Sequence, residues 1–417
     1  MANKKRIFWG VVVVVLVGAG AVFSGALDPS YSTTAVDKSA PSSQWLRRGK
    51  YLVQAADCAA CHTAANGAPF AGGVPLDTPF GRIYGSNITP DKEHGIGKWT
   101  SADFYKALHD GLAPDHPLYP AMPYTSYRGL TRQDTDAMFA YLESLKAVPE
   151  PNKKNDFPFP YNMRTLMRGW NVLFLKNALP DASKGDSAQW VRGRYLANAL
   201  GHCTECHTAR GSLGQLNLDQ TLAGGDLGLI HAPDITPKGL AARGWTPADL
   251  SQFLAHGIAP QGSAYGEMYT AFHHSLRYLS PADNKALVAY LTGDAPLAPV
   301  AMPKSGGQGQ TLGAGRLHYL ALCAGCHAAN GRGKPNVSVA MQANSTLRDG
   351  DAHNLIAVML GGIAAQKFTG DQAMQSMPGF AARLNDREMA DLANYLRATW
   401  GGQRADVTPE MVAAIRK

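Results

Sequence analysis

The chain has 417 residues, with 39 Lys+Arg against 32 Asp+Glu and a formal charge of +7. That length exceeds one ordinary domain of ~100–200 residues and predicts two to four compact units. A hydrophobic content of 45% with 17% charged residues excludes a disordered chain. The basic balance and a pI near 9.0 point to nucleic acid or an anionic membrane surface only if no permanently held anionic cofactor cancels the charge.

At the N-terminus, Lys4, Lys5 and Arg6 precede an uncharged 21-residue run from Ile7 to Leu27. This is the pattern of an export signal, either a cleaved peptide with Ser24-Gly25-Ala26 as its small-residue site or an uncleaved signal anchor. Either version places the chain after Leu27 outside the cytoplasm. Residues 28–44, rich in Ser, Thr, Ala and Pro, read as a linker.

A repeated unit follows. Arg48-Gly49-Lys50-Tyr51-Leu52 before Cys58 recurs as Arg192-Gly193-Arg194-Tyr195-Leu196 before Cys203. Asn87-Ile88-Thr89-Pro90 is echoed by Asp234-Ile235-Thr236-Pro237, and Trp99-Thr100 with Ala102-Asp103 by Trp245-Thr246 with Ala248-Asp249. Gly111 matches Gly257, Met122 matches Met268, and Tyr141-Leu142 matches Tyr290-Leu291, all at offsets between 144 and 149 residues. A third, divergent unit starts near Leu312 and keeps Gly315-Arg316, Met377-Pro378 and a closing Tyr395-Leu396. Three- and four-residue apolar spacing predicts closing helices over Asp134–Leu145, Pro281–Leu291 and Asp386–Thr399. Gly- and Pro-rich stretches with little strand signal lie between. Within the connector at 150–185, Leu166–Lys176 reads either as a packing segment or as an interfacial helix on a membrane or partner.

All six cysteines fall in the pairs Cys58/Cys61, Cys203/Cys206 and Cys323/Cys326, each followed at once by His62, His207 or His327. Disulfides, zinc or thiol-redox chemistry would each use Cys-x-x-Cys, but none explains the third residue in all three copies. On a helix, positions i, i+3 and i+4 share a face, so two thiols and an imidazole point one way. Two thiols can add to the vinyl groups on one edge of a haem while the histidine reaches the iron, which is covalent haem c attachment.

The sixth iron ligand separates electron transfer from catalysis, because two filled axial positions leave no place for substrate. Met122 precedes Pro123 and lies 61 residues after Cys61; Met377 precedes Pro378 and lies 51 after Cys326. The proline fixes each loop and favours Met377 over Met374. In the second unit Met268 aligns with Met122, with His273 and His274 as rivals. Met138 and Met389 read as core gap-fillers. Arg82 is a candidate partner for a haem propionate, with Asn87, Thr89 and Trp99 as weaker ones and a surface arginine as the plainer reading. The other histidines (His94, His109, His116, His202, His231, His256, His318, His353) read as scattered solvent-facing or satisfied core residues. No nucleotide-binding fingerprint, nucleophile elbow or His-Glu-x-x-His occurs, and Gly306-Gly307-Gln308-Gly309 lacks the Lys-Ser/Thr of a phosphate loop.

With these motifs, and with Cys58-Ala59-Ala60-Cys61-His62-Thr63, Phe70-Ala71-Gly72-Gly73 and Leu118-Tyr119-Pro120-Ala121-Met122-Pro123, the sequence resembles the three-haem cytochrome c subunits of bacterial membrane-bound alcohol, aldehyde, gluconate and sugar or polyol dehydrogenases. The resemblance covers about residues 45–402. It implies a mostly α fold of three tandem cytochrome c-like haem domains with extensive loops, behind an N-terminal apolar helix. The expected organisation is 1–27 signal peptide or anchor, 28–44 linker, 45–149 domain 1, 150–185 connector with the interfacial-helix candidate, 186–296 domain 2, 297–311 linker, 312–402 domain 3 and 403–417 tail. The resemblance further implies electron transfer from a separate quinone, flavin or molybdenum dehydrogenase subunit to ubiquinone. The site of action would be the periplasmic side of the cytoplasmic membrane, with no nucleic acid bound and no catalysis by this chain alone. Competing readings are a freestanding periplasmic shuttle to a terminal oxidase and a haem peroxidase with one open iron position.

Overall fold

A computed structural model of the chain describes residues 9, 17–18, 20–34, 41–176, 179–182, 187–293, 296–301 and 310–416. Ten of the 21 residues of the apolar run Ile7–Leu27, and most of the linker at 297–311, lie outside the described residues. Among those described, no helix is long and apolar enough to cross a membrane. Backbone contacts divide the chain into two compact units, residues 1–180 with 198–202, and 181–197 with 203–417. Both are mostly helical.

The first unit opens with α1 (Ser43–Ala55), capped by Ser42, and runs directly into the short α2 (Cys58–His62). A hairpin of β1 (Pro75–Thr78) and β2 (Gly81–Tyr84) follows in antiparallel register, Leu76 opposite Ile83. Next come α3 (Ser101–Asp110), α4 (Tyr124–Tyr127), α5 (Arg132–Glu143) and α6 (Leu166–Phe174). Thr100 and Asp103 form a reciprocal capping box at the start of α3, and Gly111 ends it at φ +66°.

The second unit has α7 (Ala188–Tyr195), α8 (Cys203–His207), β3 (Gly225–Asp226) with β4 (His231–Ala232), α9 (Pro237–Ala242) and α10 (Pro247–His256). It continues through β5 (Ile258–Ala259) with β6 (Gly262–Ser263), α11 (Glu267–His274) and α12 (Pro281–Thr292). Its last part holds α13 (Gln310–Leu322), α14 (Ala324–His327), α15 (Ser345–Arg348), α16 (His353–Gly361), β7 (Gln366–Lys367) with β8 (Ala373–Met374), α17 (Asp386–Leu396) and α18 (Pro409–Ile415). The duplicated Trp-Thr phrase is therefore a helix start. Thr246 accepts from the Asp249 amide as Thr100 does from Asp103, and Gly257 at φ +75° ends α10 as Gly111 ends α3.

One helix crossing occurs three times. α1 packs on α5, α7 on α12 and α13 on α17. At each crossing a glycine meets the backbone of the closing helix: a Cβ on Gly49 would lie 2.0 Å from the Ala137 oxygen, on Gly193 1.9 Å from that of Ala286, and on Gly315 2.1 Å from that of Asp391. The closing tyrosine of each unit, Tyr141, Tyr290 or Tyr395, presents its Cβ to the same glycine. Arg48 reaches Asp134, and Arg192 forms a two-bond fork on Asp283 at 2.8 and 2.7 Å, clamping the first two crossings. The third has Ala314 at that position and no such clamp.

Segments flanking the first repeat are docked on it. Tyr31 donates to Asp110 at 2.9 Å, Thr34 pairs with Ser101, and Arg168 forms a fork on Asp28. Past residue 149, Asp156 and Arg82 exchange backbone hydrogen bonds at 2.8 and 2.9 Å, so the chain lies along β2. On α6, Trp170 is buried and Asn171 bridges the Tyr124 hydroxyl and the Asp110 carbonyl, whereas Val172 and Leu173 are exposed. The C-terminal stretch forms α18, whose Val412 joins the core of Tyr319, Ile356, Met389 and Leu392.

Candidate haem sites

Each motif is a single helical turn following the first helix of a crossing, and its histidine is held at two points. The backbone oxygens of His62, His207 and His327 accept from Gly72, Gly224 and Gly333 at 2.8, 2.9 and 3.0 Å. These glycines have φ of +78°, +103° and +70°, a region where only glycine is at ease. On the ring side, Nδ1 donates to the carbonyl of Ser86 at 2.6 Å, of Pro233 at 2.7 Å and of Val339 at 3.0 Å, respectively. A proton fixed on Nδ1 puts the lone pair on Nε2, the tautomer a metal-ligating imidazole requires.

Burial lowers all three imidazoles, His207 to about 4, so they are neutral near pH 7. It also raises the thiols, Cys58 strongly, Cys203 to about 12 and Cys323 to about 11. A reactive redox cysteine is tuned the other way. All six cysteines are thiols with no disulfide among them. Zinc needs four convergent donors, and among the described residues no group of three or more His, Cys, Asp and Glu side chains forms such a set. Paired thiols beside a neutral, oriented imidazole fit covalent haem c.

The methionines separate by position. Met138 and Met389 are fully buried inside α5 and α17. Met122 is half-buried in the loop before α4, pinned between Tyr119 and Tyr124, which donate to the Tyr161 carbonyl at 2.8 Å and to Asn171 at 2.9 Å. Met377 exchanges backbone hydrogen bonds of 2.9 Å with Ile363 and packs against the same core as Cys323. Met374 lies on β8 opposite Gln366. Met268 lies in the first turn of α11, not in a loop like Met122. At about 100° per residue it shares a side with the fully buried Phe272, while His273 and His274 point roughly 120–140° away.

The propionate candidates in the first unit are otherwise engaged. Arg82 forms an exposed fork on Asp77 at 2.6 and 3.1 Å within the β1–β2 hairpin. Asn87 is buried, donates to the carbonyls of Val148 and Glu150, and accepts from the Thr89 amide and hydroxyl. Trp99 is half-buried and precedes the cap of α3. Two histidines are not scattered: His231 and His353 stack at 3.6 Å between centroids, with His231 on Asp351 at 2.8 Å. His231 lines a cleft of about 260 Å³ together with Asp226, Asp234 and Asp349. Distance along the chain hid that pairing. The six backbone groups that grip the motif histidines left only the Gly72-Gly73, Gly224-Gly225 and Gly331-x-Gly333 spacings as a trace.

Helix crossing, gripped histidine and paired thiols together define a cytochrome of the c type. The cytochrome c family profile matches residues 46–146 and 313–400. The chain is 36% identical to the fructose dehydrogenase cytochrome subunit of Gluconobacter japonicus, over 89% of this chain and 82% of that one. It is 36% identical to the gluconate 2-dehydrogenase cytochrome c subunit of Pantoea cypripedii, over 89% of each. With a nicotinate dehydrogenase subunit from Pseudomonas putida the identity is 38% over 85% of this chain, which spans only 30% of that protein. The chain belongs to the family of cytochrome c subunits of dehydrogenases.

Proposed function

We propose that this chain is the three-haem electron-transfer subunit of a periplasmic, membrane-bound dehydrogenase complex. It receives electrons from a separate catalytic subunit, quinone, flavin or molybdenum dependent, and passes them towards ubiquinone in the cytoplasmic membrane. The observation that carries the reading is the threefold histidine grip, with Nδ1 spent on a carbonyl and Nε2 left to a metal. Cys58 and Cys61, Cys203 and Cys206, and Cys323 and Cys326 would hold the haems, with His62, His207 and His327 as proximal and Met122, Met268 and Met377 as distal ligands. When bound, haem c supplies a one-electron Fe(III)/Fe(II) couple. The chain fixes each imidazole's tautomer and orientation, offers paired thiols on one helix face, and presents a thioether from a braced segment. Three domains at 45–149, 186–296 and 312–402 follow the three crossings, and the basic, apolar N-terminus acts as export signal or anchor. The relatives' complexes support a dehydrogenase partner.

Purification under mild detergent tests the proposal. A large dehydrogenase subunit is expected in equal stoichiometry, and deleting this chain should abolish substrate-dependent quinone reduction while dye-linked oxidation persists. Recovery as a lone soluble chain, with quinone reduction unchanged after its deletion, would instead establish a freestanding shuttle.

A further inference from the structure

The carbonyls that hold the first two motif imidazoles sit just past short hairpins. With Asn87 aligned on Asp234, Ser86 and Pro233 fall at the same position, and the residues two before them are Tyr84 on β2 and His231 on β4. The ladder bonds of these strands belong to the neighbouring residues: the Gly85 amide donates to the Val74 carbonyl at 2.9 Å, and the Ile230 carbonyl accepts from Leu227 at 3.1 Å. Tyr84 and His231 therefore turn their N–H groups to the outer edge of a two-stranded sheet, where no further strand pairs with them. In both copies an asparagine side chain takes the donor: Asn155 Oδ1 accepts from Tyr84 at 3.0 Å, and Asn354 Oδ1 from His231 at 2.8 Å.

These asparagines come from outside the repeat they serve. Asn155 lies in the connector, 71 residues beyond Tyr84, and Asn354 lies on α16 of the third repeat, 123 residues beyond His231. Each attachment is doubled. Asn152 Oδ1 accepts from the Asn87 amide at 2.7 Å, so Ser86 is bracketed on both sides. Asn354 Nδ2 donates back to the His231 carbonyl at 2.7 Å, and its neighbour His353 donates to the Leu229 carbonyl at 3.0 Å. The third repeat is braced from within: Val337, two before Val339, accepts from the Gln375 amide at 3.0 Å.

We infer that Asn155 and Asn354 are positioning residues for the proximal histidines of the first two haems. By fixing the backbone two residues ahead of Ser86 and Pro233, they aim the carbonyls that hold His62 and His207 Nδ1. Only two soft dihedrals per residue separate each pinned amide from the carbonyl it aims. The inference rests on the haem reading above, and it makes the first two haem sites dependent on segments beyond their own repeats. A well-aimed carbonyl keeps the imidazole basic and its plane fixed; a displaced one leaves a poorer donor to Fe(III) and a higher midpoint.

The test reads the full haem-loaded chain by EPR of its low-spin ferric haems and by spectroelectrochemical titration, with haems counted by pyridine haemochrome. Asn155→Ala and Asn354→Ala should each move the g values of one haem signal, a different one in each variant, and raise that haem's reduction equilibrium constant at least threefold, about 28 mV for one electron. Aspartate separates the two positions. Asn155 serves Tyr84 as an acceptor, so Asn155→Asp should leave the g values at wild type, whereas Asn354→Asp sets a carboxylate oxygen against the His231 carbonyl and should move them. Unmoved g values and midpoints in the alanine variants, whatever their melting temperatures, overturn the inference and leave the haem reading intact. If an alanine variant takes up fewer haems than wild type, the aspartate pair decides: the contrast supports the inference, and equal effects at both positions overturn it. Wild-type peptide masses showing no haem on Cys58, Cys61, Cys203 and Cys206 would remove reading and inference together.

Discussion

At the residue scale, each motif histidine does two things that its neighbours in sequence cannot do alone. Its Nδ1 is fixed by a carbonyl 12 to 26 positions later, and burial keeps the ring neutral, so the lone pair is available without a proton to displace. A soft thioether opposite it, as proposed for Met122, Met268 and Met377, would raise the haem's potential. At Met268 the two copies of the repeat differ, helix against loop. Met268→Ala should abolish the Met-to-iron absorption band of one haem in three and lower that haem's midpoint. A band of undiminished intensity would transfer the ligand role to another residue of α11. The Cys-x-x-Cys-His motifs were legible because haem attachment needs fixed residue types at fixed spacing. The stack of His231 on His353 was not, since the two rings come from positions 122 residues apart.

At the element scale, the repeated feature is a close crossing of the first and last helices of each repeat. Only glycine at 49, 193 and 315 lets the backbones approach this closely, since any Cβ there would fall within about 2 Å of a carbonyl oxygen. Gly315→Val should destabilise the third repeat by about 1–3 kcal/mol or more through overpacking, and lower both its melting temperature and its haem content. Gly313→Ala provides the control on the same helix. A Cβ there meets nothing within 4 Å, and removing a helical glycine gains roughly 0.5–1 kcal/mol. Equal melting temperatures for the two variants would remove the crossing from the account. Helix positions were readable from apolar periodicity: α5, α12 and α17 start within two residues of their predicted starts. The short hairpins were not, because strands of two to four residues carry too little alternation to detect.

At the scale of the whole molecule, charge is the property that cofactor binding rewrites. Six ionised propionates would take the formal +7 to about +1, so the basic composition is not an argument for nucleic acid. Isoelectric focusing of the haem-loaded chain should place it well below the sequence pI of 9.0, near neutrality. A value still close to 9 would mean fewer haems, or propionates held protonated. The segments read as linkers also change character at this scale: Tyr31, Thr34 and Asp28 pin the chain before the first repeat, and Asp156 extends the β1–β2 hairpin after it. Their composition resembles that of a flexible connector, and only the partners they meet show otherwise.

The sequence by itself determined the chemistry: three Cys-x-x-Cys-His motifs using every cysteine, candidate distal methionines, a duplicated unit with a divergent third, and closing helices. These are local or periodic properties, written at short range by covalent attachment and helical geometry. Only the tertiary structure decided that Arg82 and Asn87 are bound to neighbouring protein groups and that His231 stacks on His353. Those outcomes depend on which distant segments the folded chain brings together, and hydrogen bonding and burial energy act on that proximity, not on sequence spacing.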